Sequence, residues 1–511
     1  MKNLFKLCLI AVFTLSAILS FSQDYSIDPE IVYKIKQEVR KNSQIEELSF
    51  WFTDFVGPRV TASQGKKNAD AFAKKKMEEM GFENVVIEEV RKFDRGGWDN
   101  LRTYIAMTQP YYANFAATPK AWTGSTEGEI KGSVVLVEIK EEKDFEKYKG
   151  QLAGKIVLIP SESSYEPSFE AYSSRHDDES LAKLEEESYA KRRRTWDYAA
   201  WRKRRAFRTK VGKFLKDEGV AVVLNSSGKF NVVGSGSVRY KSGDPYPIPE
   251  VNLPLEAHGR MQRLLKHNVD VQIEVDIKNQ FIKSPQATNV MAEIPGTDPE
   301  LKDEIVLIGG HYDSWHGGTG AADNASGCIV MMEALRILKA LDIQPRRTIR
   351  VALWGGEEQG LNGSRGYVEK YLREPKKNKL LKGYEKFAAY FNMDNGTGKF
   401  RGIYCQENEM VKPIFEEWIK PFESMGMTTV TIRNTGGTDH LAFNALGLPA
   451  FQFIQDRIEY GRGYHSNMDT YERLIMGDLK HNSIVVAAFV YQAAMRDEML
   501  PRKPYEAPKK K

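Results

Sequence analysis

A chain of 511 residues, 41% of them hydrophobic and 28% charged, is long enough for more than one hydrophobic core and too ordinary in composition for disorder. A net charge of +5, with bases scattered or offset by acids, leaves nucleic-acid binding without support. Three cysteines are too few for a disulfide framework.

The chain opens "MKNLFKLCLIAVFTLSAILSFSQ": lysines, then an apolar stretch, then small residues at Ser20 and Ser22. That is the layout of a secretory signal peptide (1–22) cut just before Gln23; left uncut it would be a membrane anchor. Cys8 sits too early, with no small residues before it, for a lipoprotein acceptor. No later run has the apolar length of a membrane span, so the expected product is an exported protein, periplasmic or secreted. Cys328 and Cys405 then remain, able to pair but not required to.

Residues 23–111 read as helices and a strand belonging to the main domain. The turn "VGPRV" separates two helices, and "NADAFAKKKMEEMGF" places Ala71, Phe72, Met77 and Met80 near helical spacing before Gly81 stops it. "NVVIEEV" follows as a strand. From 112 to 282 short apolar runs ("GSVVLVEI", "GKIVLI", "VAVVLN", "VDVQIEV") alternate with turns, which predicts an inserted β-rich module. Within it, residues 177–219 are charged and rich in helix formers, and predict a long exposed helix or helical pair. This stretch is either a basic docking face or, because acids interleave its bases, a solvated helix or lid. Residues 283–498 alternate strands and helices, the pattern of an α/β domain with a mostly parallel sheet flanked by helices, and 499–511 form a basic tail.

Three strands of that domain end in acids or histidine. "EIVLIGG" leads to His311 and Asp313, "RVALWGG" to Glu357 and Glu358, and "AAYFNM" to Asp394. Ligands of open α/β sheets bind outside the carboxyl ends of the strands, so these side chains can converge. Asp323 precedes an apolar helical run where a capping aspartate is expected anyway, but capping does not call for the others on the same rim. Crowded carboxylates repel one another, and divalent cations relieve that. Mixed histidine and carboxylate donors suit zinc, and with His465 from "GYHSNMDT" two ions would have five ligating residues, one shared. One glutamate of the pair can bind metal while its neighbour accepts a proton from the activated water. Asp313 is placed to orient the His311 imidazole, and His316 reads as a loop residue.

Together "GGHYDS", "GAADNASG", "LWGGEEQGLNGS", "NMDNGTG" and "YHSNMDT" resemble the di-zinc exopeptidase family of secreted bacterial aminopeptidases and plasma glutamate carboxypeptidase. The likeness runs from Ala287 onward, and "DFVGPRVTAS" resembles that family's opening motif. It implies two zinc ions, one on His311 and Asp394, the other on Glu358 and His465, with Asp323 bridging and Glu357 as general base. It further implies an oxyanion role for Tyr464 and a substrate-pocket wall at Asp439 and His440 in "GGTDHLAF". The inserted module resembles a protease-associated domain, although its charged helical stretch is longer than that pattern.

The expected activity is hydrolysis of terminal peptide bonds, with peptides as the partners. Removal of the amino-terminal residue is favoured over carboxypeptidase or dipeptidase action, although Arg433, Arg457 and Arg462 are available to receive an α-carboxylate. A single-zinc glutaminyl cyclase and a non-catalytic binding protein are the other readings of the same fold. An HExxH zincin motif and a serine-hydrolase elbow are both absent.

Overall fold

The computed structural model describes residues 26–186, 197–283 and 286–505; the expected signal peptide lies outside these, as do the middle of the charged stretch and the end of the basic tail. An eight-stranded sheet organises the larger part of the molecule. Its strands in chain order are β1 (Glu83–Lys92), β2 (Gln286–Ile294), β3 (Ile305–His311), β4 (Thr348–Trp354), β5 (Phe387–Asn392), β6 (Phe400–Tyr404), β7 (Thr429–Thr431) and β8 (Ala450–Gln455). They lie in the order β1-β2-β4-β3-β5-β8-β6-β7. The central four, β4-β3-β5-β8, are mutually parallel, while β1 and β2 on one flank and the β8–β6 pair on the other run antiparallel.

Burial explains the apolar runs. β5 and β8 are buried at every position and β3 at all but its first residue, as expected of parallel strands covered on both faces. On one face lie the helices Pro29–Asn42, Ser326–Ala340 and Met476–Met495. The first is capped by Asp28, whose carboxylate accepts the Glu30 N–H, and buries Ile31, Val32, Ile35 and Val39 along one stripe. Ser326–Ala340 is buried on nearly every side, so its sequence is mostly apolar, and its buried Glu333 and Arg336 pair with each other at 2.7 Å. The other face is covered by Tyr367, Val368, Phe443 and Leu446 with their neighbours.

A second eight-stranded sheet has its own core around Ile105, Val157, Leu224 and Ile273. It begins at Gly97, within the stretch that the sequence assigns to the main domain, because Gly97–Gln109 pairs antiparallel along its length with Gln272–Ile282. The charged stretch forms two helices whose surroundings differ. Asp178–Glu185 buries Leu181 and lies against β7, where the Thr431 hydroxyl donates to the Leu184 carbonyl. Just before it Arg175 bonds Asp456 and Asp478, each at 2.7 Å. Tyr198–Asp217 buries only Leu215, so most of its length is solvated. Among the described residues no helix is long and apolar enough to cross a membrane. Cys328 and Cys405 are both buried free thiols, so the pairing left open by the sequence does not occur.

Candidate metal centre

The carboxyl ends of the parallel strands bring the acids and histidines to one place. β3 ends at His311 and the chain leaves the sheet through residues 312–325 before the helix Ser326–Ala340 begins. Gly320 makes the turn with φ +61, and a Cβ there would lie 2.3 Å from the Ser314 side chain. Asp323 does not cap the helix. Its backbone (φ −127, ψ 84) is non-helical, and Asn324 Oδ1 instead accepts the Gly327 N–H at 3.1 Å. The Asp323 carboxylate is thereby left facing two imidazoles.

His311 Nε2 lies 3.1 Å from Asp323 Oδ1 and 3.3 Å from Asp394 Oδ1. His465 Nε2 lies 3.1 Å from Asp323 Oδ2 and 2.9 Å from Glu358 Oε2. Two sets of three donors result, His311–Asp323–Asp394 and Asp323–Glu358–His465, each with its ligand atoms within 4.8 Å of one another. Asp323 belongs to both. Burial opposes charge on His465, yet Asp323 and Glu358 carry its pKa up to about 10. Burial and the Asp323 charge raise Glu358 to about 8, and burial, Asp394, Asp439 and Glu358 raise Glu357 to about 10. Burial and crowding of like charges are the physical causes of these shifts in the carboxylates.

The donor set fits two such cations. Glu358 Oε1 is buried with no hydrogen-bond partner, while Asp323 Oδ2 and Asp394 Oδ1, equally buried, face only an imidazole nitrogen each. Buried carboxylate oxygens left this way are costly unless something charged meets them. Two imidazoles and three carboxylates, one shared, match the ligand preferences of zinc.

Several neighbours act on these ligands without belonging to the set. The Asp313 carbonyl, not its carboxylate, accepts from His311 Nδ1 at 3.0 Å; the carboxylate stands 3.7 Å away. That carboxylate instead accepts the N–H groups of Glu357 and Glu358, at 3.0 and 3.2 Å, and the Thr61 hydroxyl at 3.2 Å. Asp313 therefore also positions the glutamate pair, and it meets the His311 ring more closely through its carbonyl than through its carboxylate. Asp469, not singled out in the sequence, accepts from Ala322 N and Asp323 N at 2.6 and 3.1 Å. Trp315 Nε1 donates to Glu358 Oε2 at 2.7 Å.

Three expected residues stand elsewhere. Tyr464 is 38% exposed, its ring packed on those of His465 and Tyr460. Tyr460, whose ring stacks on that of Tyr464, is raised well above the usual phenol range by burial and by Asp323, Asp394, Glu358 and Asp469. Asp439 and His440 are fully buried, so they back the pocket without forming its surface. Asp439 accepts from the Ser364 hydroxyl at 2.5 Å, and the His440 ring meets the Thr435 carbonyl at 3.2 Å. His316 bonds the Pro119 carbonyl at 2.6 Å and is not a ligand.

Arg59, from the opening motif, fastens the metal-bearing loop to the N-terminal helices. It is fully buried and donates to the carbonyls of Tyr312 (2.6 Å), Gly57 (2.8 Å), Thr319 (2.6 Å) and Gly320 (2.9 Å). Methionine fills a similar volume but leaves those acceptors without a donor. Arg59→Met is expected to destabilise the protein by about 3 kcal/mol or more, read from the urea midpoint.

Residues 289–490 match the family model described as Peptidase family M28. Over these residues the chain is similar to the peptidases of that family. Carboxypeptidase Q of Mus musculus is 26% identical over 465 residues, covering 90% of this chain and 88% of that protein. The solved structure of a peptidase M28 precursor from Shewanella amazonensis SB2B shares the fold with a TM-score of 0.65 at 24% identity, over 93% of this chain and 98% of that one. BSAP, a zinc aminopeptidase from Bacillus subtilis, aligns with a TM-score of 0.55 at 19% identity, over 89% of this chain and 95% of that one. The M28 segment contains all five side chains of the two donor sets, whereas Arg59 and Thr61 lie outside it.

Proposed function

We propose that this M28 peptidase is an exported zinc-dependent exopeptidase in which Glu357 is the general base. The observation that carries the reading is the pair of three-donor sets sharing Asp323, with Glu357 adjacent to the ligand Glu358. His311, Asp323 and Asp394 would hold one zinc ion and Asp323, Glu358 and His465 the other. When bound, the ions supply Lewis acidity to the attacking water and to the scissile carbonyl. The Glu357 carboxylate then takes the proton of the attacking water and delivers it to the leaving amine. Asp313 keeps Glu357 and Glu358 in register by holding both backbone N–H groups. Export rests on the amino-terminal residues 1–22.

Both ends of a peptide remain compatible with this centre. The end-to-end similarity to carboxypeptidase Q supports action at a free carboxylate or on dipeptides. Of the three arginines suited to that task, Arg457 lines a cavity of about 170 Å³ shared with Tyr460, Tyr464 and Asp469. Arg462 is engaged by Glu459 at 3.4 Å and the Tyr172 ring at 4.2 Å, and Arg433 donates to the Glu186 carbonyl at 3.3 Å. Similarity to the zinc aminopeptidase BSAP supports the amino end.

Mass spectrometry of peptides offered free, N-acetylated and C-amidated, with zinc-loaded and chelated protein, tests the function and separates its forms. Zinc-dependent trimming blocked only by acetylation marks an aminopeptidase, and trimming blocked only by amidation a carboxypeptidase. Cleavage confined to doubly free dipeptides marks a dipeptidase. Absence of trimming in every arm would overturn the exopeptidase reading.

A further inference from the structure

The loop carrying His465 is not held by the M28 segment alone. A stretch of the loop that joins two strands of the second sheet (Val222–Ser226 and Glu250–Leu253), residues 233–235, runs beside it as a short antiparallel partner, with an isolated bridge between Gly234 and Ser466. Ser235 N donates to the His465 carbonyl at 2.7 Å, Val233 N to Asn467 Oδ1 at 2.8 Å, and Asn467 N to the Val233 carbonyl at 3.1 Å. The same Ser235 reaches the loop that follows His311, its hydroxyl accepting the Gly317 N–H at 3.0 Å. A Cβ at Gly317 would come within 2.5 Å of that hydroxyl, so only glycine allows the approach.

The grip matters because of the backbone it holds. His465 has φ +55, a left-handed conformation that a non-glycine residue keeps only when its surroundings enforce it. The gripping stretch is itself anchored in the second sheet: Asn252 Nδ2 donates to the Gly234 carbonyl at 2.8 Å, and Ala121 N to the Gly236 carbonyl at 2.8 Å. An unbroken line of hydrogen bonds thus joins the second sheet to the residue that presents an imidazole to Asp323 and Glu358.

We propose that residues 233–235, in the loop anchored on the second sheet, are positioning residues for His465, so that occupancy of the Asp323–Glu358–His465 site depends on the seating of that loop on its sheet. The His311–Asp323–Asp394 site does not depend on it in the same way, because His311 is set by β3 and by the Asp313 carbonyl. The proposal rests on the two-zinc reading above.

The test is zinc retention by the full chain during dialysis against graded chelator, with Asn467→Ala removing the acceptor at the contact and Asn252→Ala loosening the anchor from the far side. His465→Ala supplies the reference for a half-loaded protein, and cobalt substitution gives its spectrum. Both asparagine variants are expected to lose one ion at a chelator concentration at least about 10-fold lower than wild type, and then to match the His465→Ala spectrum. The thermal midpoint of the metal-free protein should be unchanged. Wild-type retention of both ions, or parallel loss of both ions with a lowered metal-free midpoint, would overturn the proposal. A wild-type chain that never binds two ions would instead overturn the underlying two-zinc reading.

Discussion

Glu357→Gln is expected to keep both zinc ions and to lose about 10²- to 10⁴-fold in kcat, the range typical of a general base. Glutamine keeps the size of the side chain and its backbone link to Asp313, so the 3.0 Å bond from residue 357 N to Asp313 Oδ1 has no reason to change. It cannot carry a proton away from the attacking water. KM should move little, because Glu357 belongs to neither donor set. Metal analysis on the same preparation separates the effect from loss of zinc. A variant that retains its metal and full activity would remove Glu357 from the mechanism.

Asp323→Ala is expected to produce the largest loss of metal, lowering affinity for both ions by about 100-fold or more. Its two oxygens stand 3.1 Å from the two imidazoles, one each, so truncation takes a donor from both sets at once. Asp394→Ala takes a donor from one set only and should leave the other ion in place. Titration of the metal-free proteins with zinc reads the difference as stoichiometry: near zero for the first variant at concentrations that saturate wild type, and one for the second. Equal behaviour of the two variants would mean that Asp323 is not shared.

The α/β class was legible because parallel central strands are apolar on both faces, and β3, β5 and β8 are written that way. The residues expected at the metal centre were legible for a related reason. A strand end is a fixed address in such a sheet, and "GGH", "GGEE" and "NMD" each follow an apolar run. Side-chain direction is not written in the same way. Tyr464 is adjacent to His465 in sequence and is 38% exposed, while Tyr460, four residues earlier, lies close enough to the carboxylates for their charge to raise its phenol. Asp313 was recognised as a neighbour of His311, but which of its oxygens reaches the ring depends on how the loop folds back, and it is the carbonyl. The boundary at residue 112 followed a change of texture, whereas the second sheet recruits Gly97–Gln109 through pairing with strand Gln272–Ile282, far away in sequence.

By itself, then, the sequence determined the class of fold, the acids and histidines available at the strand ends, and the family that residues 289–490 resemble. Those properties follow from local pattern: apolar periodicity, glycine at turns, and residue type at strand termini. Only the tertiary structure decided that Asp323 faces two imidazoles, that Asp469 and Arg59 hold the loop behind it, and that residues 233–235, in a loop of the second sheet's module, grip His465. Each of these joins segments more than a hundred residues apart, or turns on a backbone conformation set by such contacts. No local pattern encodes them, because they arise when hydrogen-bond donors and acceptors left over from secondary structure find partners in the packed molecule.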